Sequence, residues 1–386
     1  MLLTASGRPP GSLYWSTTWR DDPSQGVALT GRGMVQQSSK PEEIRGRFTA
    51  IWQAENPHEK QWIEEIFGDY IERHVVDGDH QLVLDNAILF DAFIDRYPLD
   101  YYRAFEGKTA FLVHFLDETY NGGYERYAPF RGVLRKHWAR AFEGARIRPL
   151  PLGYCNGFKT HRAPKPASER TYLWSLVGGL NKTSRPDAVR AFKSLAPALV
   201  RATDDLAVKG LAIERGALAP AALAAVLRDS AFAPSPMGNV NLECFRLYEG
   251  LEAGAIPILE RRLGLDYYRD LFGDHPLPTF ASWRDAARFV AGLKDRPADL
   301  DQLQRTCTSW WTTYKVKLSS DIGAFMRERL SIDASDAPID VAHLNSPRFQ
   351  YLELLKHQTL ATVGPRVLRH ADRFAKTGSF RFSPTD

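Results

Sequence analysis

The chain has 386 residues, 44% hydrophobic and 25% charged, enough for two or three domains of ~150 residues with a full core. A formal net charge of +4 suits anionic substrates and is too small to indicate nucleic acid. Three widely spaced cysteines (Cys155, Cys244, Cys307) offer neither a metal pattern nor a disulfide framework, so a reducing compartment is expected.

In chain order, residues 1–43 are rich in Gly, Ser, Pro and charge and read as an N-terminal arm, with one aromatic patch around Tyr14 and Trp15. An early strand is expected at Thr49–Trp52, a helix over 58–67 on Trp62, Ile63, Ile66 and Phe67, a strand within 82–90, and a helix near 98–106. Lys108–Leu116 is the clearest buried strand of this half and ends in Asp117-Glu118. A helix is expected over 126–142 and a returning strand over 147–153. Asn156–Glu169 lacks apolar periodicity, which makes 157–170 the expected linker between a first domain over 44–156 and a second over 171–330. The second set starts with the strand Tyr172–Gly179, followed by helical segments over 187–199, 203–214 and 219–228. Helices around 282–294 and 298–326 complete it, and a tail over 331–386 carries one helix near 347–361. Strands alternating with helices predict parallel sheets covered on both faces.

Phe232–Leu259 reads as strand, glycine-containing loop, amphipathic helix, glycine stop and second strand. Cys244, Leu247, Tyr248 and Leu251 fall at one buried helix face. Asn241 or Asn239 is the expected N-cap and Gly254 the left-handed stop. A loop entering a helix N-terminus presents free N–H groups to an anion. Glu243, Arg246 and Glu249 form a charged ridge at i, i+3, i+6, able to hold a diphosphate and a ribose hydroxyl. Upstream, Gly178-Gly179-Leu180-Asn181-Lys182-Thr183-Ser184-Arg185 also joins a strand to a helix. There Lys182 or Arg185 could neutralise a leaving diphosphate.

Ser-Pro-x-Gly at 235–238, Arg-Leu-x-Glu at 246–249 and Ala-Gly-Ala-Ile-Pro-Ile at 253–258 together resemble the donor-binding segment of the exostosin-type glycosyltransferases. Gly250, Ala255 and Cys244 stand where that family usually has Ala, Cys and Ser. The likeness is sharp over about 170–320, looser over 80–155 and absent at both ends. In the looser part, Arg135-Lys136-His137-Trp138 is similar to an Arg-x-x-Trp segment of the family. The resemblance implies an α/β fold of the GT-B kind, two Rossmann-like parallel-sheet domains facing a cleft. It implies that the second half binds a nucleotide sugar and the first an acceptor. Gly179, Lys182, Arg185, Gly238, Asn239, Asn241, Arg246 and Glu249 are then the expected donor-binding residues, with Arg185 the closer match and Lys182 the second choice.

Inversion at the anomeric centre needs a base for the acceptor hydroxyl. Asp117 and Glu118, at a strand end in the acceptor half, are the candidates, with a capping pair or a salt bridge to Arg135 as the alternative; adjacent residues point to opposite sides, so one of the two is expected to act. Asp85 and Asn86 are the runner-up pair, better explained as turn or cap residues. No His-Glu-x-x-His or His-x-x-x-His occurs, and Asp77-Gly78-Asp79 and Asp299-Leu300-Asp301 read as turn and helix-start chemistry, so no metal and no cofactor beyond the donor are expected. Gly-x-Ser-x-Gly and Walker A motifs are absent. Trp310-Trp311 is expected in the core.

The combined expectation is an inverting glycosyltransferase that moves a sugar from a nucleotide-diphosphate donor, uridine-linked, to a glycan or polyol-phosphate acceptor in polysaccharide or glycoconjugate synthesis. An epimerase on the same fold and a non-catalytic nucleotide- or glycan-binding protein are the alternatives. No apolar run approaches the ~20 residues that span a bilayer, and Met1–Pro10 lacks a signal-peptide apolar region, so a cytoplasmic enzyme is expected. Peripheral contact with the inner face of a membrane or with a pathway enzyme is the accompanying expectation.

Overall fold

Two parallel six-stranded sheets carry the fold. The structure, a computed structural model, describes residues 44–53, 58–76, 84–92, 97–120, 122–144, 146–159, 163–262, 265–332 and 341–357. The N-terminal arm, Asp77-Gly78-Asp79 and the tail beyond 357 lie outside the described residues. Residues from Pro41 onward cluster as one compact unit.

The first sheet contains β1 (Phe48–Trp52), β2 (Ile71–Val76), β3 (Ala87–Asp91), β4 (Ala110–His114), β5 (Gly132–Arg135) and β6 (Ile147–Pro149). Their order is β2-β1-β3-β4-β5-β6, with α1 (Lys60–Phe67) and α2 (Leu99–Arg103) among the connections. Strands β1, β3 and β4 are buried on both faces, as continuous apolar runs in a parallel sheet must be. The second sheet contains β7 (Tyr172–Gly178), β8 (Ala198–Ala202), β9 (Glu214–Arg215), β10 (Ser230–Ser235), β11 (Ile256–Glu260) and β12 (Thr279–Phe280). Its order, β9-β8-β7-β10-β11-β12, is the doubly wound order of a nucleotide-binding sheet. The chain reverses direction across the sheet between β7 and β10, and a ligand crevice opens at such a switch point, outside the carboxyl ends of the strands. Helices α3 (Arg185–Phe192), α4 (Pro220–Arg228), α5 (Phe245–Glu252), α6 (Tyr267–Phe272) and α7 (Trp283–Leu293) complete this half. Two Rossmann-like sheets facing a cleft make this a GT-B architecture.

Two helices tie the halves together. The 35-residue α8 (Pro297–Ser331) starts on the second half and runs back over the first. Its Trp311 stacks on Trp62 of α1, with ring centroids 5.6 Å apart, and donates its indole N–H to Glu252 at 3.0 Å. Lys315 of α8 pairs with Glu65 at 2.7 Å and with Glu252 at 2.9 Å, and Tyr70 O–H donates to the Ser319 carbonyl. In α9 (Pro347–His357), buried His357 sits against Tyr120 of the first half and accepts from the Leu242 N–H of the second at 3.1 Å.

Several elements differ from expectation. Residues 126–142 are not helical: a 3₁₀ turn (Tyr124–Tyr127), β5 and a second 3₁₀ turn (Arg140–Phe142) occupy them. All four residues of β5 are buried, so no alternation marks it as a strand. The helix expected over 187–199 ends at Phe192, and β8 begins just past Pro197, which cannot continue a helix. Instead of a helix over 203–214, residues 203–213 are irregular and Glu214 opens β9; the Asp204 carboxylate competes for backbone, accepting from Asn181 N–H at 2.8 Å and Leu206 N–H at 3.4 Å. Helix α5 is preceded by Cys244 in extended conformation instead of an Asn cap; the Asn241 side-chain oxygen Oδ1 accepts from Glu243 N–H at 2.9 Å, a side-chain turn just before the helix. Asp301 is engaged by the Ser168 N–H and hydroxyl, both at 2.8 Å. Asp85 caps Thr109 N–H at 2.7 Å.

Replacing Trp311 removes an indole that is stacked on Trp62 and bonded to Glu252. Trp311→Ala is expected to cost about 3–5 kcal/mol in chemical denaturation, as for other buried aromatic truncations; a midpoint unchanged from wild type contradicts the bridging role given to α8.

Candidate functional site

The carboxyl ends of β4 and β5 face those of β7 and β10 across a cleft of about 1290 Å³. Asp117, Glu118, Arg185, Gly238, Asn239, Arg246 and Glu249 line it, with His114, His137 and Glu243.

On the second half, two loops meet at the switch point. Arg185, at the start of α3, is only 7% exposed and donates to the Met237 carbonyl at 3.2 Å and the Gly179 carbonyl at 2.7 Å, one on each loop. Arg246, in the first turn of α5, donates to the Val177 carbonyl at 3.3 Å. Among the described residues neither guanidinium makes an ion pair, and the exposed Lys182 makes none either. Burial, with the neighbouring Arg246 charge, pulls the Arg185 pKa down to about 10. Like charges brought together without a counter-ion are costly unless an anion arrives. Gly178 lets these groups approach: its φ is 125°, and a Cβ there would lie 3.2 Å from the Arg246 guanidinium. Glu260 fixes both loops, accepting from the Ser184 hydroxyl at 2.5 Å and Met237 N–H at 3.2 Å while paired to Arg262 at 2.6 Å.

Glu249 lies one turn beyond Arg246, 7% exposed in the cleft. Burial raises its carboxyl pKa above the ordinary 4.5, opposed by the Arg246 charge and a hydrogen bond with Cys155. Glu243, expected on the same ridge, instead lies buried at the wall of the cleft with its carboxylate turned to inter-half contacts. It accepts from Leu152 N–H at 2.8 Å and Tyr267 O–H at 2.6 Å, and also from Tyr248 O–H, which makes it a strut between the halves. Asn241 is likewise structural in its side chain, which donates to Tyr120 O–H at 2.9 Å. Gly179, Lys182 and Asn241 adjoin the cleft through their loops without lining it.

On the first half, Asp117 and Glu118 diverge as adjacent residues at a strand end do. The Asp117 carboxylate is buried against Arg135 at 3.2 Å and accepts from Tyr124 O–H at 2.7 Å. Arg135 is itself wholly buried and lies 3.9 Å from the centroid of the Phe142 ring. Glu118 reaches across the cleft, where one carboxylate oxygen accepts from Val240 N–H at 2.7 Å and Asn241 N–H at 3.1 Å. A Cβ on Gly238 would stand 2.8 Å from that same oxygen and 2.8 Å from the Glu243 carbonyl.

Sequence reasoning did not single out the two cleft histidines. His114 ends β4, bonds Tyr127 O–H through Nδ1 at 2.6 Å, and is held neutral by burial, its pKa pushed down to about 3. His137 has a left-handed backbone (φ 53°) and a buried Nδ1 without a partner. Tyr120 and Thr183 share that backbone region on the loops around the cleft, with φ of 53° and 58°. Strain of this kind collects at functional sites. Among the described residues no three His, Cys, Asp or Glu side chains are grouped to hold a metal ion. Among them too, no helix is long and apolar enough to cross a membrane.

No family model matches the chain, and no curated protein matches it. Among solved structures, it is similar to a crystal structure of T4 phage BGT in complex with its UDP-glucose substrate. The identity is 10% and the TM-score 0.45, over 74% of this chain and 99% of that one.

Gly238→Ala places a methyl group against the Glu243 backbone, which cannot yield as a flexible side chain would. A stability loss of about 1–3 kcal/mol is expected in denaturant titration; wild-type stability would show that the loop has room there.

Proposed function

We propose that the chain is an inverting glycosyltransferase of exostosin-like type that uses a nucleoside-diphosphate sugar, uridine-linked, as donor. The observation that carries this reading is the pair of guanidinium groups, Arg185 buried and Arg246 half-buried, that make no ion pair among the described residues and stand at the switch point of a doubly wound sheet. A diphosphate supplies the charge they lack, and Lys182 adds a third cation at the mouth. The α5 N-terminus points the same way. Glu249, one helical turn on, is placed to accept the ribose hydroxyls. Gly179, Gly238 and Asn239 contribute backbone at close approach.

In the reaction, the acceptor hydroxyl oxygen attacks the anomeric carbon from the first-half side. The bond from that carbon to the β-phosphate oxygen breaks, and its electron pair leaves with the nucleoside diphosphate. Arg185 and Arg246 stabilise the charge that develops on the leaving group, the role a bound cation takes in other sites. The hydroxyl proton passes to a carboxylate. Of the two candidates, Glu118 suits this better, because Asp117 is held by Arg135 and Tyr124. The acceptor is a glycan or polyol phosphate, a reading supported by Arg126 lining the first-half side of the cleft.

Glu249→Ala is expected to abolish binding of uridine diphosphate sugars in calorimetry; unchanged affinity for every one tested contradicts the assignment. A second test uses pH. The ionised Glu249 accepts hydroxyls and the protonated form does so poorly, so affinity falls as pH drops through a pKa raised above 4.5. Uridine diphosphate titrated at descending pH therefore loses affinity before an ordinary glutamate would protonate. A flat profile through that range removes Glu249 from the site.

A further inference from the structure

Glu118 belongs to the first sheet, yet its carboxylate is seated in the second half. Its oxygen takes two converging backbone N–H groups, from Val240 and Asn241, and packs against Gly238, where no side chain could fit. Consecutive amides aimed at one anionic oxygen, beside a glycine, make a phosphate cradle. Lys182 and Arg185 lie close enough for Glu118 to act on both electrostatically. Glu118 is therefore an anion from across the cleft placed among groups suited to a diphosphate.

We propose that Glu118 is an internal phosphate mimic that the donor must displace. The inference rests on the donor site described above. Without donor, the carboxylate holds the 236–244 loop and offsets part of the cation cluster. A donor phosphate oxygen takes over the Val240 and Asn241 amides, and Glu118 is released into the cleft, where it can receive the acceptor proton. The base is thus masked until the donor is loaded, which enforces donor-first binding and limits unproductive engagement of acceptor.

The test is calorimetric titration of uridine diphosphate into wild-type protein and into Glu118→Gln, which keeps the size and loses the charge. Removing an internal competitor is expected to tighten binding about tenfold, within the range for hydrogen bonds to charged groups. Unchanged or weaker binding in the variant, with wild type still binding, overturns the proposal and leaves the donor site standing. Absence of binding in both proteins overturns the donor site and this inference with it. If the variant does not fold, hydrogen exchange on wild type decides. Saturating uridine diphosphate should slow exchange over 238–247 and speed it over 116–120. Slowing in both segments overturns displacement.

Discussion

Two neighbouring guanidinium groups, one buried and one half-buried, with no direct ion pair among the described residues are an expensive arrangement, and the fold is built to hold them. Arg185 is clamped by carbonyls from both switch-point loops and Arg246 by a carbonyl at the end of β7, all neutral acceptors. Neutral carbonyls satisfy the N–H groups and leave the net charge uncancelled. Glu260, the carboxylate that joins the two loops, is engaged by Arg262, Ser184 and Met237. The loops are thereby rigid and the positive charge is directed into the cleft. That is preorganisation for an anion, with the desolvation cost carried by the folded state instead of by binding.

The opposite wall depends on the same rigidity. Arg135, enclosed by Tyr124, Phe142 and Tyr120, orients Asp117. Glu243 and His357 connect the loops of the two halves below the cleft, while Trp311 and Lys315 join them behind it. These struts bring a carboxylate of one sheet to the amides of the other.

The alternation of strands and helices was legible wherever an apolar run stood alone, as in β4, β7, β10 and β11. It failed at β5, four buried residues too short to show a period, and at β9, a two-residue edge strand. The junctions carrying Arg185 and Arg246 could be read because glycine, a cation and a helix start lie within a few residues of one another. Arg135, 18 residues from Asp117, was legible as a salt-bridge partner of the acidic pair, but the amides that hold Glu118 were not, since Val240 lies 122 residues away. Such pairings arise from tertiary packing, which has no local signature. Glu243 was misplaced for a related reason: spacing assigns it to a helix ridge, but the extended Cys244 starts the helix later and turns Glu243 inward. The cleft histidines escaped because single histidines at strand ends carry no spacing pattern.

The central claim is that the switch-point cations await the diphosphate of a nucleotide sugar. A thermal-shift comparison of uridine diphosphate, uridine monophosphate and uridine tests it most directly. The account predicts stabilisation that is largest with the diphosphate, smaller with the monophosphate and smallest with the nucleoside, and that is lost when Arg185 and Arg246 are both replaced by Met. Equal shifts from all three, or no shift from the diphosphate or any of its sugars, would contradict it.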